Sequence, residues 1–289
     1  MTINAKLKSL FIYPAVLISV VLLFFALFQL VTGDHDRTAW AGAAISALPL
    51  PFLILRLMIK PVERTSENLP LLLLLSAVGV MVATWEQFIE GVAGWGPLSV
   101  ALVNAGIMLL YVFWYSRFGR IESMQLGVGN KLPEFRLRDS ADNEVGSEDL
   151  SGSPAVLLFY RGNWCPLCMA QIREIVSRYQ EMDELGIKVV LISPQPDIHT
   201  KNLAGMHDVP FHFLIDAENR LAETLGIAID NGVPMGVPGG YDPNTVMPTM
   251  VVTNASGTIV FSDQTDNYRV RPEPDVFLAI LRRSGAVAQ

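Results

Sequence analysis

Cysteine is nearly missing from this chain of 289 residues: Cys165 and Cys168 are the only two. A disulfide framework is thereby excluded. So is a cysteine-only zinc centre, because zinc takes four ligands and no second pair exists to complete the set. Residues 1–120 hold no cysteine and one histidine, His35. A membrane-embedded thiol relay needs cysteines there, and a bis-histidine haem needs two histidines, so neither fits. Charge is scarce as well. Asp, Glu, Lys and Arg make up 17% of the chain against 51% hydrophobic residues, too apolar a balance for an ordinary soluble protein. The shortage is uneven. Residues 1–120 carry 8 Lys and Arg against 6 Asp and Glu, a net of +2, whereas residues 121–289 carry 13 against 22, a net of −9. An acidic second part argues against nucleic acid as a partner.

The first part holds four apolar segments. Leu10 to Val31 runs for about 22 residues without a charge, long enough to cross a bilayer core. Ala39 to Ile59 is interrupted only by Arg56 and is expected to kink at Pro49 and Pro51. Leu69 to Trp85 is the shortest, and Leu98 to Ser116 is the fourth. Lys6 and Lys8 look like the start of a signal peptide, but the first run is too long and three more runs come after. Residues 1–120 therefore read as a region of four transmembrane helices that anchors the rest. Positive clusters at Lys6/Lys8, Arg56/Lys60/Arg64 and Arg117/Arg120 alternate with loops poor in Lys and Arg. By the positive-inside rule the N-terminus and everything after residue 120 face the cytoplasm, in a multi-pass protein of the bacterial inner-membrane type. Glu86, Gln87 and Glu90 read as interfacial residues, with Trp85 and Trp95 in the aromatic belt.

The second part is organised around the cysteines. Ala155 to Tyr160 is an unbroken apolar run, the pattern of a buried strand, and Met169 to Leu185 carries apolar residues at helical spacing. Cys165 and Cys168 thus sit where a strand ends and a helix begins. Free N–H groups and the helix dipole at such a place stabilise a thiolate. Two cysteines three apart on the first helical turn can also close into a disulfide.

Around this unit, residues 121–131 read as a linker with Gly127 and Gly129, and residues 132–289 as one α/β domain. Phe135 to Arg138 alternates like a half-exposed strand. Ile187 to Ile192 and Phe211 to Ile215 are further strands, Pro196 to His207 and Glu218 to Leu225 are helices, and Asp275 to Arg283 is a closing helix. Thr249–Thr253 and Thr258–Ser262 form a hairpin about Asn254-Ala255-Ser256-Gly257, where Asn254 is turn chemistry. Ile227 to Met247, rich in Gly and Pro, is too long for a plain connection and reads as a functional loop or surface insertion.

The order of these elements resembles the thioredoxin fold. The segments Phe159-Tyr160-Arg161-Gly162-Asn163-Trp164-Cys165-Pro166-Leu167-Cys168, Met247-Pro248-Thr249 and Asn254-Ala255-Ser256-Gly257-Thr258-Ile259 resemble, more narrowly, the alkyl hydroperoxide reductase/thiol-specific antioxidant (peroxiredoxin-like) family. The resemblance covers residues 130–289. It implies a thioredoxin-like domain with a central mixed sheet flanked by helices. It also implies that Pro248 is a cis-proline facing the cysteine pair, with the backbone of Met247 offered to an incoming peptide. Peroxidases of this superfamily place Pro and Thr or Ser seven and three residues before the reactive cysteine and use a later Arg. Aligned on Cys168, those positions hold Arg161 and Cys165, and the later Arg falls near Pro248.

With the peroxide pocket altered and Cys165 and Pro248 kept, the leading expectation is a membrane-anchored thiol–disulfide oxidoreductase. Cys165, nearer the helix start and more exposed, attacks a substrate disulfide, and Cys168 resolves the intermediate. Trp164, Pro166, Met247 and Pro248 shape the substrate surface, while Arg161 adds positive potential or forms a surface salt bridge. The alternative is a thiol peroxidase that reduces hydroperoxides, with Cys168 oxidised to a sulfenic acid and Cys165 resolving it. A third reading is a non-enzymatic membrane redox sensor. The partners expected are a protein or small-molecule disulfide or a hydroperoxide, an external thiol reductant and the lipid bilayer. No metal and no cofactor is expected beyond the redox-active disulfide Cys165–Cys168.

Overall fold

The computed structural model describes residues 3–33, 36–91 and 94–287, so His35 lies outside the described residues. The chain divides into two compact units, one of Leu10–Pro61 and Thr65–Arg117, the other of Met1–Ser9, Val62–Arg64 and Phe118–Gln289.

The first unit is helical because its sequence is nearly all apolar, with its prolines at helix starts and breaks apart from Pro14 inside the first helix. Helix α1 (Ile3–Thr32) is followed by α2 (Arg37–Ala47), α3 (Pro49–Ile59), α4 (Pro70–Trp85) and α5 (Trp95–Leu110); the last two run on into π-helical turns at Glu86–Glu90 and Tyr111–Tyr115. Three helices, Ile3–Thr32, Pro70–Glu90 and Trp95–Tyr115, are long and apolar enough to cross a bilayer. The second segment, expected to kink at Pro49 and Pro51, is the pair α2 and α3, bent by 43°, and makes a fourth span only if the pair counts as one. The break falls where Pro49 removes a backbone donor and crowds the preceding turn. Helices α2 and α4 meet at backbone distance. A Cβ on Gly79 would lie 2.4 Å from the Ser46 nitrogen and 2.5 Å from the Gly42 carbonyl oxygen. Small residues at such a crossing let the two helix backbones approach closely. The Ser46 hydroxyl, buried there, donates to the Ala101 carbonyl at 2.8 Å and shares a 3.2 Å bond with Ser76. Large side chains such as Phe24, Phe28, Leu71 and Met81 remain exposed on the outer faces.

The second unit is built on a seven-stranded mixed sheet of order β2-β1-β5-β4-β3-β8-β9. Its strands are β1 (Arg136–Asp139), β2 (Glu144–Gly146), β3 (Ala155–Phe159), β4 (Lys188–Ser193), β5 (His212–Ile215), β8 (Thr249–Thr253) and β9 (Ile259–Asp263); the short pair β6 (Ala228–Ile229) and β7 (Thr245–Val246) stands apart. Strands β3, β4 and β5 run parallel, while β8 runs antiparallel to β3 in the register Phe159↔Thr249 to Ala155↔Thr253. All five residues of β3 are buried, as its unbroken apolar run demands of a central strand covered on both faces. Helices α6 (Pro166–Ser177), α7 (Tyr179–Glu184), α8 (Asp197–Gly205), α9 (Arg220–Thr224) and α10 (Pro274–Arg283) follow the order of the sequence. The helix expected from Met169 to Leu185 is broken at Arg178 into α6 and α7. Residues 121–131 lie along β9, where the Gly129 N–H donates to the Ile259 carbonyl at 2.8 Å and Lys131 bridges Thr258. The Asn254 side chain closes its turn by accepting from the Ser256 and Thr258 N–H groups.

Candidate active site

Strand β3 ends at Phe159 and delivers Tyr160 and Arg161 into the turn before α6. Gly162 follows with φ +139°, a left-handed value that L side chains rarely adopt. A Cβ there would also sit 2.9 Å from the Trp164 indole. Glycine at 162 is therefore what lets Trp164 fold back over the turn. Pro166 opens α6 at its first position, where a missing N–H costs nothing.

Cys165 is the N-cap of α6, and its sulfur accepts the Cys168 N–H at 3.4 Å. Both thiols are free and buried, Cys165 2% exposed and Cys168 0%. Against the expectation that Cys165 is the more exposed thiol, both sulfurs are buried alike. Helix α6 packs its first turn inward instead, and neither sulfur is offered at the surface.

A guanidinium that sequence alignment had placed elsewhere meets the pair. The Arg271 Nη2 lies 3.6 Å from the Cys168 sulfur. Arg271 is 5% exposed; its Nε donates to the Tyr268 carbonyl at 3.0 Å and its Nη1 to the Gln171 Oε1 at 3.4 Å. The expected loss of the later arginine at Pro248 is thus corrected, since the segment after β9 supplies one.

Arg161 is likewise not a surface ion-pair residue. It is 7% exposed, its guanidinium lies 4.5 Å from the Trp164 ring centre and 5.6 Å from that of Tyr268, and it donates to the Gly232 carbonyl. Its carbonyl accepts the Thr245 hydroxyl at 2.9 Å. These bonds pin both ends of the 227–247 loop to the turn that carries the cysteines. The Ser9 hydroxyl adds a third tie to the Val233 carbonyl at 2.7 Å, and His199 a fourth to the Gly239 carbonyl at 2.6 Å.

Two influences compete over which sulfur carries charge. Burial pushes both thiols up. At Cys165 the neighbouring Cys168 sulfur pushes the same way, and the thiol stays well above its ordinary range. At Cys168 burial is outweighed by the Cys165 thiol hydrogen bond, the Arg271 guanidinium, and the N–H and guanidinium of Arg161, which hold it down to about 6. The Cys168 N–H pointing at Cys165 argues the other way, but one neutral donor counts for less than a buried cation in contact. The thiolate belongs on Cys168.

Every peptide bond among the described residues is trans, including the one before Pro248, which corrects the cis-proline expectation. The local backbone is also committed. The Met247 N–H donates to the Ile227 carbonyl at 2.7 Å, its carbonyl accepts the Thr249 hydroxyl at 2.7 Å, and the Pro248 carbonyl accepts Arg120 Nη1 at 3.1 Å. No free strand edge remains there for a peptide. Behind the pair, Gln195 ties the buried Tyr160 hydroxyl at 3.0 Å to the Asn163 N–H at 2.8 Å, so the turn is braced from β4. Arg271, Gln171, Thr245 and Gln195 escaped the sequence reading. The one local signal was the alternation Arg269-Val270-Arg271, a pattern with no information about what it meets.

Residues 128–262 match the AhpC/TSA family. A putative peroxiredoxin bcp of Haemophilus influenzae is 26% identical over 157 residues, covering 54% of this chain and 97% of that protein. A chloroplastic peroxiredoxin Q of Populus jackii is 25% identical over 190 residues, 66% of this chain and 79% of that protein. Peroxiredoxin Bcp of Bacillus subtilis is 26% identical over 104 residues, and the chain covers 66% of it. Among solved structures, peroxidoxin BcpB from Mycobacterium tuberculosis aligns with a TM-score of 0.44 at 23% identity, over 54% of this chain and 96% of that one.

Proposed function

We propose, because residues 128–262 match the AhpC/TSA family, that this thiol-dependent oxidoreductase is a peroxidase that reduces hydroperoxides at Cys168. The observation that carries the reading is the Arg271 guanidinium 3.6 Å from the Cys168 sulfur. A buried cation there makes a nucleophilic thiolate at neutral pH and favours the negative charge that builds on a peroxide oxygen as its O–O bond breaks. Cys168 attacks the distal oxygen and becomes a sulfenic acid, and the reduced alcohol leaves. Cys165, one turn away on the same helix, then closes a disulfide with loss of water, and an external thiol reductant restores both thiols. The substrate is a hydroperoxide rather than the disulfide first expected, and Cys165 resolves rather than attacks. Trp164 and Arg161 wall the site, with Pro166 fixing the helix start.

Residues 1–120 anchor the protein in a lipid bilayer, supported by their long apolar helices, and residues 132–289 carry the chemistry beyond a short joining segment. Lysine and arginine placement supports a cytoplasmic redox domain in a membrane of the bacterial inner type.

One observation favours thiol–disulfide exchange as a second reading: Cys165 caps α6 and takes a backbone N–H, as an attacking N-terminal thiol does. The two separate in one assay. The full chain in detergent is supplied with a thiol reductant and given hydrogen peroxide or a protein disulfide. Peroxide consumption that is abolished by Cys168→Ser supports the peroxidase. Disulfide turnover that needs Cys165, with peroxide left intact, refutes it.

A further inference from the structure

Resting on that peroxidase reading, we propose that Cys165 is the acid as well as the resolving thiol: its proton goes to the leaving oxygen of the peroxide, and the thiolate so formed is the one that closes the disulfide.

The geometry carries the idea. Reduction of a hydroperoxide by a thiolate expels an alkoxide or hydroxide, both poor leaving groups unless protonated. With both sulfurs buried, the nearest proton source is the site's own side chains. The polar groups identified around the Cys168 sulfur are Arg271, the Arg161 N–H and guanidinium, and the Cys165 thiol. A guanidinium does not give up its proton in proteins, and a backbone amide does not either. The Tyr160 phenol is pushed up by burial, and its hydroxyl is held in the Gln195 network on the β4 side of the turn. Cys165 is the remaining donor. Its sulfur is seated over the first turn of α6, beside Cys168, by the Cys168 N–H at 3.4 Å. That same N–H stabilises Cys165 once its proton has gone.

The steps balance. Cys168 thiolate attacks the distal oxygen of ROOH, and as the O–O bond breaks Cys165–SH gives its proton to the departing oxygen, so that Cys168–SOH, ROH and the Cys165 thiolate form together. The resulting Cys165 thiolate attacks the Cys168 sulfur, the S–S bond forms and hydroxide leaves, taking a proton from solvent to become water. Two electrons pass from the two sulfurs to the peroxide. The two thiols need not unwind α6 to meet, so the sulfenic acid is consumed where it forms, ahead of a second oxidation to sulfinic acid.

The test is single-turnover oxidation of the full chain in detergent, wild type against Cys165→Ser, with hydrogen peroxide and with peracetic acid. Peracetic acid expels a carboxylate that needs no proton. A serine hydroxyl keeps the hydrogen bond but is far too weak an acid. With hydrogen peroxide, Cys165→Ser is expected to slow formation of Cys168–SOH by about 100-fold, the usual weight of a general acid. With peracetic acid the two proteins should react within about threefold of each other. Equal rates for both oxidants in the variant and the wild type would leave Cys165 a resolving thiol only and overturn the proposal. An equal loss with both oxidants would make it a packing residue and overturn it too. If wild type consumes neither oxidant, the peroxidase reading fails and takes this proposal with it. Mass spectrometry of the same samples should find sulfinic acid on Cys168 in the variant and disulfide in the wild type.

Discussion

Replacing Arg271 by glutamine should silence Cys168 without unfolding the site. Glutamine keeps a donor that can reach the Tyr268 carbonyl but removes the charge 3.6 Å from the sulfur. At that separation and an effective dielectric of about 20, the lost attraction is about 4–5 kcal/mol. At 1.36 kcal/mol per pKa unit, the Cys168 midpoint should move from about 6 to about 9–10. The sign is definite, because losing a cation disfavours the thiolate. In wild type, reactivity should rise as pH climbs through about 6 and then level off. In the variant it should still be rising above pH 7, so that about one thiol in a hundred or fewer is ionised at neutral pH. Alkylation rate against pH reports this directly, and Cys165→Ser as background isolates the one sulfur. Arg271→Lys should recover part of the shift. An unchanged alkylation midpoint in Arg271→Gln would refute the claim that this guanidinium sets the thiolate.

Further outcomes follow from packing. Gly162→Ala puts a methyl group 2.9 Å from the Trp164 indole at a left-handed φ, and should lower stability by about 1–3 kcal/mol and displace the turn; thermal unfolding and Cys168 alkylation rate should fall together. Asp216, buried at the end of β5, accepts the Leu221 and Ala222 N–H groups at 2.8 and 2.9 Å. Asp216→Ala leaves those donors unpaired and should cost about 1–3 kcal/mol, read as a lower thermal midpoint. Gly79→Val drives a side chain into the Ser46 backbone 2.4 Å away and should cost about 1–3 kcal/mol in the helical unit, seen as faster proteolysis between α2 and α4.

Much of the fold was legible because it is local. The run Ala155 to Tyr160 can only be a central strand. The hairpin about Asn254 carries its own turn chemistry, and Pro49 announces the break between α2 and α3. The position of the cysteines at a strand–helix junction was also readable, since both flanks have a clear period. Their roles were not. Which sulfur ionises depends on Arg271, which arrives from 103 residues further along the chain. No periodicity records that contact. Alignment against a family pattern looked for an arginine near Pro248 and so missed one delivered by the loop after β9. The proline itself invited a cis reading, but Met247 and Pro248 spend their backbone groups on Ile227, Thr249 and Arg120. Those partners are scattered over more than a hundred residues, beyond the reach of any short motif.

The most direct measurement is to treat the reduced full chain with one equivalent of hydroperoxide and locate the oxidised sulfur by mass spectrometry after trapping sulfenic acid. In Cys165→Ser the account predicts a trapped sulfenic acid on Cys168, and in wild type a Cys165–Cys168 disulfide. A sulfenic acid on Cys165 in Cys168→Ser, formed at the wild-type rate, would contradict it.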